Sequence, residues 1–177
     1  MVLPNVNRYY GDDDYKNGRA VNAARAFWFL NGEAERYFMP DVVSRMDSLY
    51  RTIPEKRGRA IAGMSTGALQ CLYLSASHPD AFEYVGLFSP YAAPTFAAWG
   101  HPDAYGRLSP KLKRQFVHPP QAYRVYIGRG DIFRPHMEFY NRRLNRHGYP
   151  HEFILSEGGH EWYNWSAYLV DFYQRLF

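Results

Sequence analysis

Apolar residues recur at spacings of three and four between residues 23 and 50, through Phe27, Leu30, Ala34, Tyr37 or Phe38, Val42, Met46 and Leu49. That period predicts an amphipathic helix, bent near Pro40 because proline removes a helical donor. The pattern then shortens. Arg59-Ala-Ile-Ala62 is a brief apolar run closed by Gly63, and residues 68–77 carry leucines at helical spacing, so this stretch predicts strand, sharp turn and helix. Residues 82–89, 123–128 and 152–156 predict three more buried strands. Two helices follow the last two of these, over 135–146, stopped by His147-Gly148, and over 162–177, rich in aromatic residues.

Strands alternating with helices imply parallel pairing and right-handed crossovers, hence an α/β class with one mostly parallel sheet flanked by helices on both faces. Met1-Val-Leu3 is a very short apolar start cut off by Pro4-Asn5, and residues 7–19, rich in Tyr, Gly, Asp and Asn, read as a loop. The Pro- and Ala-rich stretch 90–120, with a helical patch near 109–115, reads as a cap or insert within a single domain spanning 1–177.

Composition supports a packed core: 177 residues with 46% hydrophobic positions and 16 Tyr, 12 Phe and 4 Trp exclude intrinsic disorder. The net charge is only +4, and the basic residues are dispersed. The densest basic clusters, Lys111-Leu-Lys-Arg114 and Arg142-Arg143 with Arg146, read as solvated helix faces, so a nucleic-acid partner is not expected. The single cysteine, Cys71, rules out a disulfide scaffold and reads as core filler. No run approaches the ~20 apolar residues of a membrane span, and the N-terminus lacks a charged region followed by an apolar one. The expectation is a soluble, cytoplasmic protein with no membrane partner.

Gly63-Met-Ser-Thr-Gly67 fits G-x-S-x-G between a predicted strand and a predicted helix, the setting in which that pentapeptide exposes a serine hydroxyl on a tight turn. Glycines flank the serine because a Cβ at either position is expected to collide with the neighbouring strand or helix. Ser65 then needs a base. Of seven histidines, His160 follows a strand and Gly158-Gly159, which puts it on the same sheet edge as Ser65. His78, His101, His118, His136, His147 and His151 sit in capping, Pro-rich or surface contexts. His147 and His151 bracket Gly148 and Pro150, which break the helix a metal pair needs, so no metal is expected.

The third partner is an acid between serine and histidine, just past a strand end, able to hold the imidazole tautomer. Asp131 fits directly after residues 123–128, with Glu157 a second choice. Taken singly, Ser, Asp and Gly-His are ordinary turn and capping residues. Their order, each at a strand end, favours catalysis. Arg129-Gly-Asp131 as an adhesion tripeptide and Asp12-Asp-Asp14 as a calcium loop lack supporting context.

At these residues the chain resembles the esterase D and feruloyl esterase group of α/β-hydrolases. Arg59-Ala-Ile-Ala-Gly-Met-Ser-Thr-Gly-Ala68 is similar to that group's elbow, Gly128-Arg-Gly-Asp131 to its acid loop, and Glu157-Gly-Gly-His-Glu-Trp162 with Trp165 to its histidine loop. Val2-Leu-Pro-Asn-Val6 resembles a family strand, and residues 29–50 the helix before the elbow. Two departures stand out. The group's first strands, with the loop that gives a second oxyanion amide, lie upstream of the point where this chain starts, and the Gly usual after Gly67 is Ala68. The expectation is that Met1–Leu3, or a second copy of the chain in a homo-oligomer, covers the sheet edge so left.

The resemblance and the residues together imply a cofactor-free serine esterase. Ser65 would attack, His160 would relay the proton, Asp131 would orient His160, and the Thr66 amide would bind the oxyanion. Trp162, Trp165, Phe133 and Tyr91, with Phe96 nearby, would suit an aromatic, feruloyl- or cinnamoyl-type acyl group. The rival expectations are a catalytically impaired remnant acting as a binding module, and an acyltransferase.

Overall fold

A computed structural model describes residues 32–91 and 102–177 of the chain. Its four strands are β1 (Ala60–Met64), β2 (Tyr84–Phe88), β3 (Ala122–Gly128) and β4 (Glu152–Ser156), paired in the order β1-β2-β3-β4. Every pair is parallel, with Ala60 opposite Tyr84, Tyr84 opposite Ala122 and Arg124 opposite Glu152. Parallel strands need crossovers, and helices supply them. The helices are α1 (Glu33–Tyr37), α2 (Ser44–Leu49), α3 (Thr66–Ser77), α4 (Pro102–Tyr105), α5 (Leu108–Gln115), α6 (Arg134–Arg146) and α7 (Trp162–Tyr173), of which α3, α4 with α5, and α6 lie in the three crossovers.

The expected bend near Pro40 is real and takes a specific form. Residues Phe38–Val43 between α1 and α2 are wound as a π-helix, where the ladder slips by one residue around a proline that has no N–H to give. The expected N-terminal part of that helix, the loop at 7–19, Met1–Leu3, His101 and Phe96 lie outside the described residues. Pro102–Tyr105 is a short helix the sequence pattern did not predict, and α7 stops at Tyr173 rather than 177. No helix among the described residues is long and apolar enough to cross a membrane.

Side chains alternate across a strand, and here the alternation splits the apolar residues into two cores. Val85 and Leu87 of β2 and Tyr123, Val125 and Ile127 of β3 pack with α3, α5 and α6. Tyr84, Phe88 and Tyr126 face the other way and pack with Tyr168 and Phe172 of α7. Continuous apolar strands are thus explained by burial on both faces. Helix α3 is buried from Ala68 through Ala76, which is why its sequence is apolar all round rather than striped.

Two buried polar clusters brace this frame. On the α7 side, the Arg124 guanidinium donates to the Tyr126 hydroxyl at 2.7 Å, to Glu152 at 2.8 Å and to Asp171 at 2.9 Å, tying β3, β4 and α7 with each partner satisfied. On the other side, Tyr105 donates to the buried Glu35 carboxylate, whose pKa burial pushes up against that hydrogen bond. Lys111 corrects the expectation of a solvated face. Its stem is buried, and its ammonium donates to the carbonyls of Asp103 and Ala104 at 3.0 and 2.7 Å, so only Lys113 and Arg114 of that cluster face water.

Candidate active site

Ser65 sits between β1 and α3 at φ 51° and ψ −119°, a backbone conformation that L-residues rarely adopt and that a sharp strand-to-helix turn imposes. Its amide donates to Phe88 O at 2.9 Å, which extends the β1–β2 ladder into the turn and leaves the side chain outside it. The two glycines act differently from expectation. A Cβ on Gly63 would lie 2.5 Å from the Gly67 carbonyl carbon and oxygen, whereas a Cβ on Gly67 would meet nothing within 4 Å. Gly63 is therefore the position that sterics demand, because the Gly67 backbone passes over it. The Thr66 amide opens the twelve-residue α3, so it is one of the N–H groups no intrahelical carbonyl can reach, at the positive end of the helix dipole.

Asp131 lies three residues past β3 and His160 four past β4. The Asp131 side chain is wholly buried. Its Oδ1 accepts from the Phe133 amide at 2.8 Å, an Asx turn leading into α6, and its Oδ2 stands 3.0 Å from His160 Nδ1. His160 Nε2 lies 2.9 Å from Ser65 Oγ. An ionised carboxylate only accepts, so the proton belongs on Nδ1, and Nε2 is left free to accept from the serine hydroxyl.

Strands β1 and β4 are three positions apart in the sheet, roughly 14 Å at the usual strand spacing. The β4–α7 loop spans that gap because it is stitched to its neighbours. Gly130 N–H donates to Gly158 O and Arg129 N–H to Ser156 O, both at 2.8 Å. Gly159 N–H donates to Glu161 Oε1 and Asn164 Nδ2 to Gly159 O, both at 2.9 Å. Gly158 takes φ +82°, the left-handed region that favours glycine. Sequence reasoning missed Glu161 and Asn164. The one available signal was a polar residue in the otherwise aromatic first turn of α7.

Four aromatic rings continue the site on either side of the imidazole. Tyr91 packs on Phe133 with centroids 5.3 Å apart, Phe133 meets His160 edge-on at 5.0 Å, Trp165 does so from another side at 4.8 Å, and Trp162 meets Trp165 at 5.3 Å. Burial pushes the Tyr91 phenol pKa up, and the nearby Thr66 side chain opposes that pull. Trp162 is largely exposed, and the Trp165 indole N–H is buried with no hydrogen-bond partner among the described residues.

The remaining candidates stand apart. Glu157 pairs with Arg129 at the surface. His151 is held between Tyr149 O and Asn141 Oδ1, each at 2.7 Å, and His147 stacks on Tyr149. Burial and the nearby Lys111 charge push the His78 pKa down.

A parallel sheet with helices on both faces, a serine on a strained strand-to-helix turn and partners at the ends of later strands together define an α/β-hydrolase fold. The chain belongs to the putative esterase family, matched over residues 1–176. It is 26% identical over 153 residues to an endo-1,4-beta-xylanase/feruloyl esterase of Xylanibacter ruminicola, a match that covers 84% of this chain and 18% of that protein. In fold it is similar to the S-formylglutathione hydrolase of Staphylococcus aureus (TM-score 0.68, 15% identity, 89% of this chain and 66% of that one). It is likewise similar to a ferulic acid esterase of Anaeromyces mucronatus (TM-score 0.66, 22% identity, 99% and 58%). The chain thus spans under a fifth of the curated relative and about three-fifths to two-thirds of these two structures.

Proposed function

We propose that this chain hydrolyses carboxylic esters through an acyl-enzyme on Ser65. The observation that carries the reading is the unbroken relay from Asp131 Oδ2 to His160 Nδ1 at 3.0 Å and from His160 Nε2 to Ser65 Oγ at 2.9 Å. His160 takes the serine proton as Oγ attacks the ester carbonyl, and the Asp131 carboxylate offsets the imidazolium charge. The Thr66 amide donates to the oxyanion, a contact of a kind worth about 10²–10³ in turnover. His160 then protonates the departing alcohol, activates a water, and the acyl group leaves as the acid.

For substrate class, the support is the aromatic ribbon of Tyr91, Phe133, Trp165 and Trp162 passing the imidazole, together with the feruloyl esterase activity named for the curated relative. Flat rings beside the nucleophile favour an aromatic acyl group of the cinnamoyl or feruloyl type. Three measurements test the proposal. Ser65→Ala should lower kcat on an activated aryl ester by on the order of 10⁶; undiminished turnover removes Ser65 from the mechanism. A fluorophosphonate should label the parent at Ser65, and a folded but unreactive Ser65 would instead mark a binding module. Equal kcat/KM on acetyl and cinnamoyl esters would set aside the aromatic pocket.

A further inference from the structure

The peptide that carries His160 is the least constrained by its own sequence, since two glycines precede the histidine and neither restricts the backbone. Something outside the loop must fix it. Asn164 is the buried side chain in reach: it lies in the first turn of α7, is only 4% exposed, and its Nδ2 donates to Gly159 O at 2.9 Å. That carbonyl belongs to the peptide bond whose nitrogen is His160 N. Holding it sets the plane from which the imidazole projects.

The carboxamide also lies where two other backbones have made room. A Cβ on Gly158 would fall 2.7 Å from Asn164 Nδ2 and 2.9 Å from its Oδ1, and a Cβ on Gly128 would fall 2.9 Å from Nδ2. Gly128 ends β3, three residues before Asp131, so one side chain touches the acid strand, the glycine turn and the histidine peptide. The loop's other polar stitches bear on neighbouring atoms. Glu161 receives Gly159 N–H from an exposed position, and Gly130 N–H meets Gly158 O.

We infer that Asn164 is the positioning residue that sets the His160 imidazole between Asp131 and Ser65. Its kinetic consequence rests on the ester-hydrolase reading above; its geometric one does not. Asn164→Asp keeps the shape but replaces the donor by an oxygen facing the Gly159 carbonyl, Asn164→Ala removes the contact, and Asn164→Ser retains a donor on a shorter arm.

The test measures kcat and KM on an aryl ester, the pH profile of kcat/KM, thermal melting, and the imidazole Nδ1–H proton resonance of His160, for the 177-residue chain and all three variants. Asn164→Asp and Asn164→Ala should lower kcat by about 10²-fold, the cost of a reacting group displaced by about an ångström. KM should change little, the limb of the pH profile assigned to the imidazole should move, and the low-field Nδ1–H signal should broaden or vanish. Asn164→Ser should fall between these and the parent.

A folded Asn164→Asp or Asn164→Ala with parent-like kcat and an unchanged Nδ1–H signal overturns the inference, whatever its melting temperature. So does a loss of stability in all three variants with no ordering in kcat. If the parent shows no Ser65-dependent turnover, the hydrolase reading fails on its own. The Nδ1–H signal then still decides on Asn164: its persistence in the variants overturns the positioning role, and its loss supports it.

Discussion

The turn at Ser65 and the loop ending at His160 both project a side chain from the carboxyl end of a parallel strand, yet they are held by different physics. At Ser65 the constraint is steric. Gly67 passes so close to Gly63 that no side chain fits there, and the positive φ of Ser65 follows from the same crowding. At His160 close approach is present too, since a Cβ on Gly128 would collide with Gly158 O, but the histidine peptide itself is held by polar contacts. Gly158-Gly159 leave the backbone free, and hydrogen bonds from Gly130 and Asn164, with Glu161 accepting, fix it. A steric turn fails all at once when violated. A stitched loop loses precision by degrees, which suits the proton-relaying role proposed for His160.

The largest effect on turnover should come where the two regions meet, at the Asp131–His160–Ser65 relay. Asp131→Asn can still accept the Phe133 amide through Oδ1, so the Asx turn survives. Its amide nitrogen, however, would face His160 Nδ1 and turn that atom into an acceptor. The ring proton then moves to Nε2, where it opposes the serine hydroxyl. The expected result is a kcat lower by about 10⁴ with the fold intact, measured by steady-state kinetics beside a melting curve. A loss of less than tenfold would detach Asp131 from the relay.

Gly63→Ala tests the steric side. The new Cβ meets backbone atoms, which cannot rotate away as a flexible side chain could, so the turn must open. The expected cost is about 3 kcal/mol in urea unfolding, at the upper end of ordinary overpacking. Turnover should fall by about 10²-fold as Ser65 moves. Gly67→Ala, facing open space, should be far milder in both readouts, and equal damage from the two would remove the distinction drawn between them.

How far the sequence could be read follows from the same contrast. Strands β2 and β3, buried on both faces, announce themselves as apolar runs legible to within one or two residues; the less buried β1 and β4 are short apolar runs too, β1 legible to within two residues and β4 to its ends. The positions of Ser65, Asp131 and His160 beyond strand ends were legible because each follows such a run. Lys111 was not, since a lysine that buries its stem and gives its ammonium to the Asp103 and Ala104 carbonyls looks in sequence like any exposed helix lysine. Gly67 was misjudged because clearance at a turn depends on which backbone passes over which. Asn164 escaped notice for a related reason. Its partner, a glycine carbonyl five residues earlier, carries no side-chain pattern to read. The π-wound segment around Pro40 was visible only as a bend, because a one-residue slip hardly disturbs the apolar period.

The smallest effect belongs to the exposed Arg129–Glu157 ion pair between the acid and histidine loops. Arg129 and Glu157 meet at 2.8 Å, but their side chains are 54% and 88% exposed, so water screens the pair and both long side chains lose freedom in forming it. Such pairs contribute about 0.2–1 kcal/mol, and Glu157→Gln should therefore leave kcat within about fivefold of the parent. The difference should shrink further in high salt. Because Glu157 was the second choice for the acid of the relay, the same variant separates two assignments. A fall of several orders of magnitude would move the acid role from a buried carboxylate to an exposed one and would make the stitched loop rigid only through its charges. A near-parental rate leaves the loop's precision to the hydrogen bonds of Gly130 and Asn164.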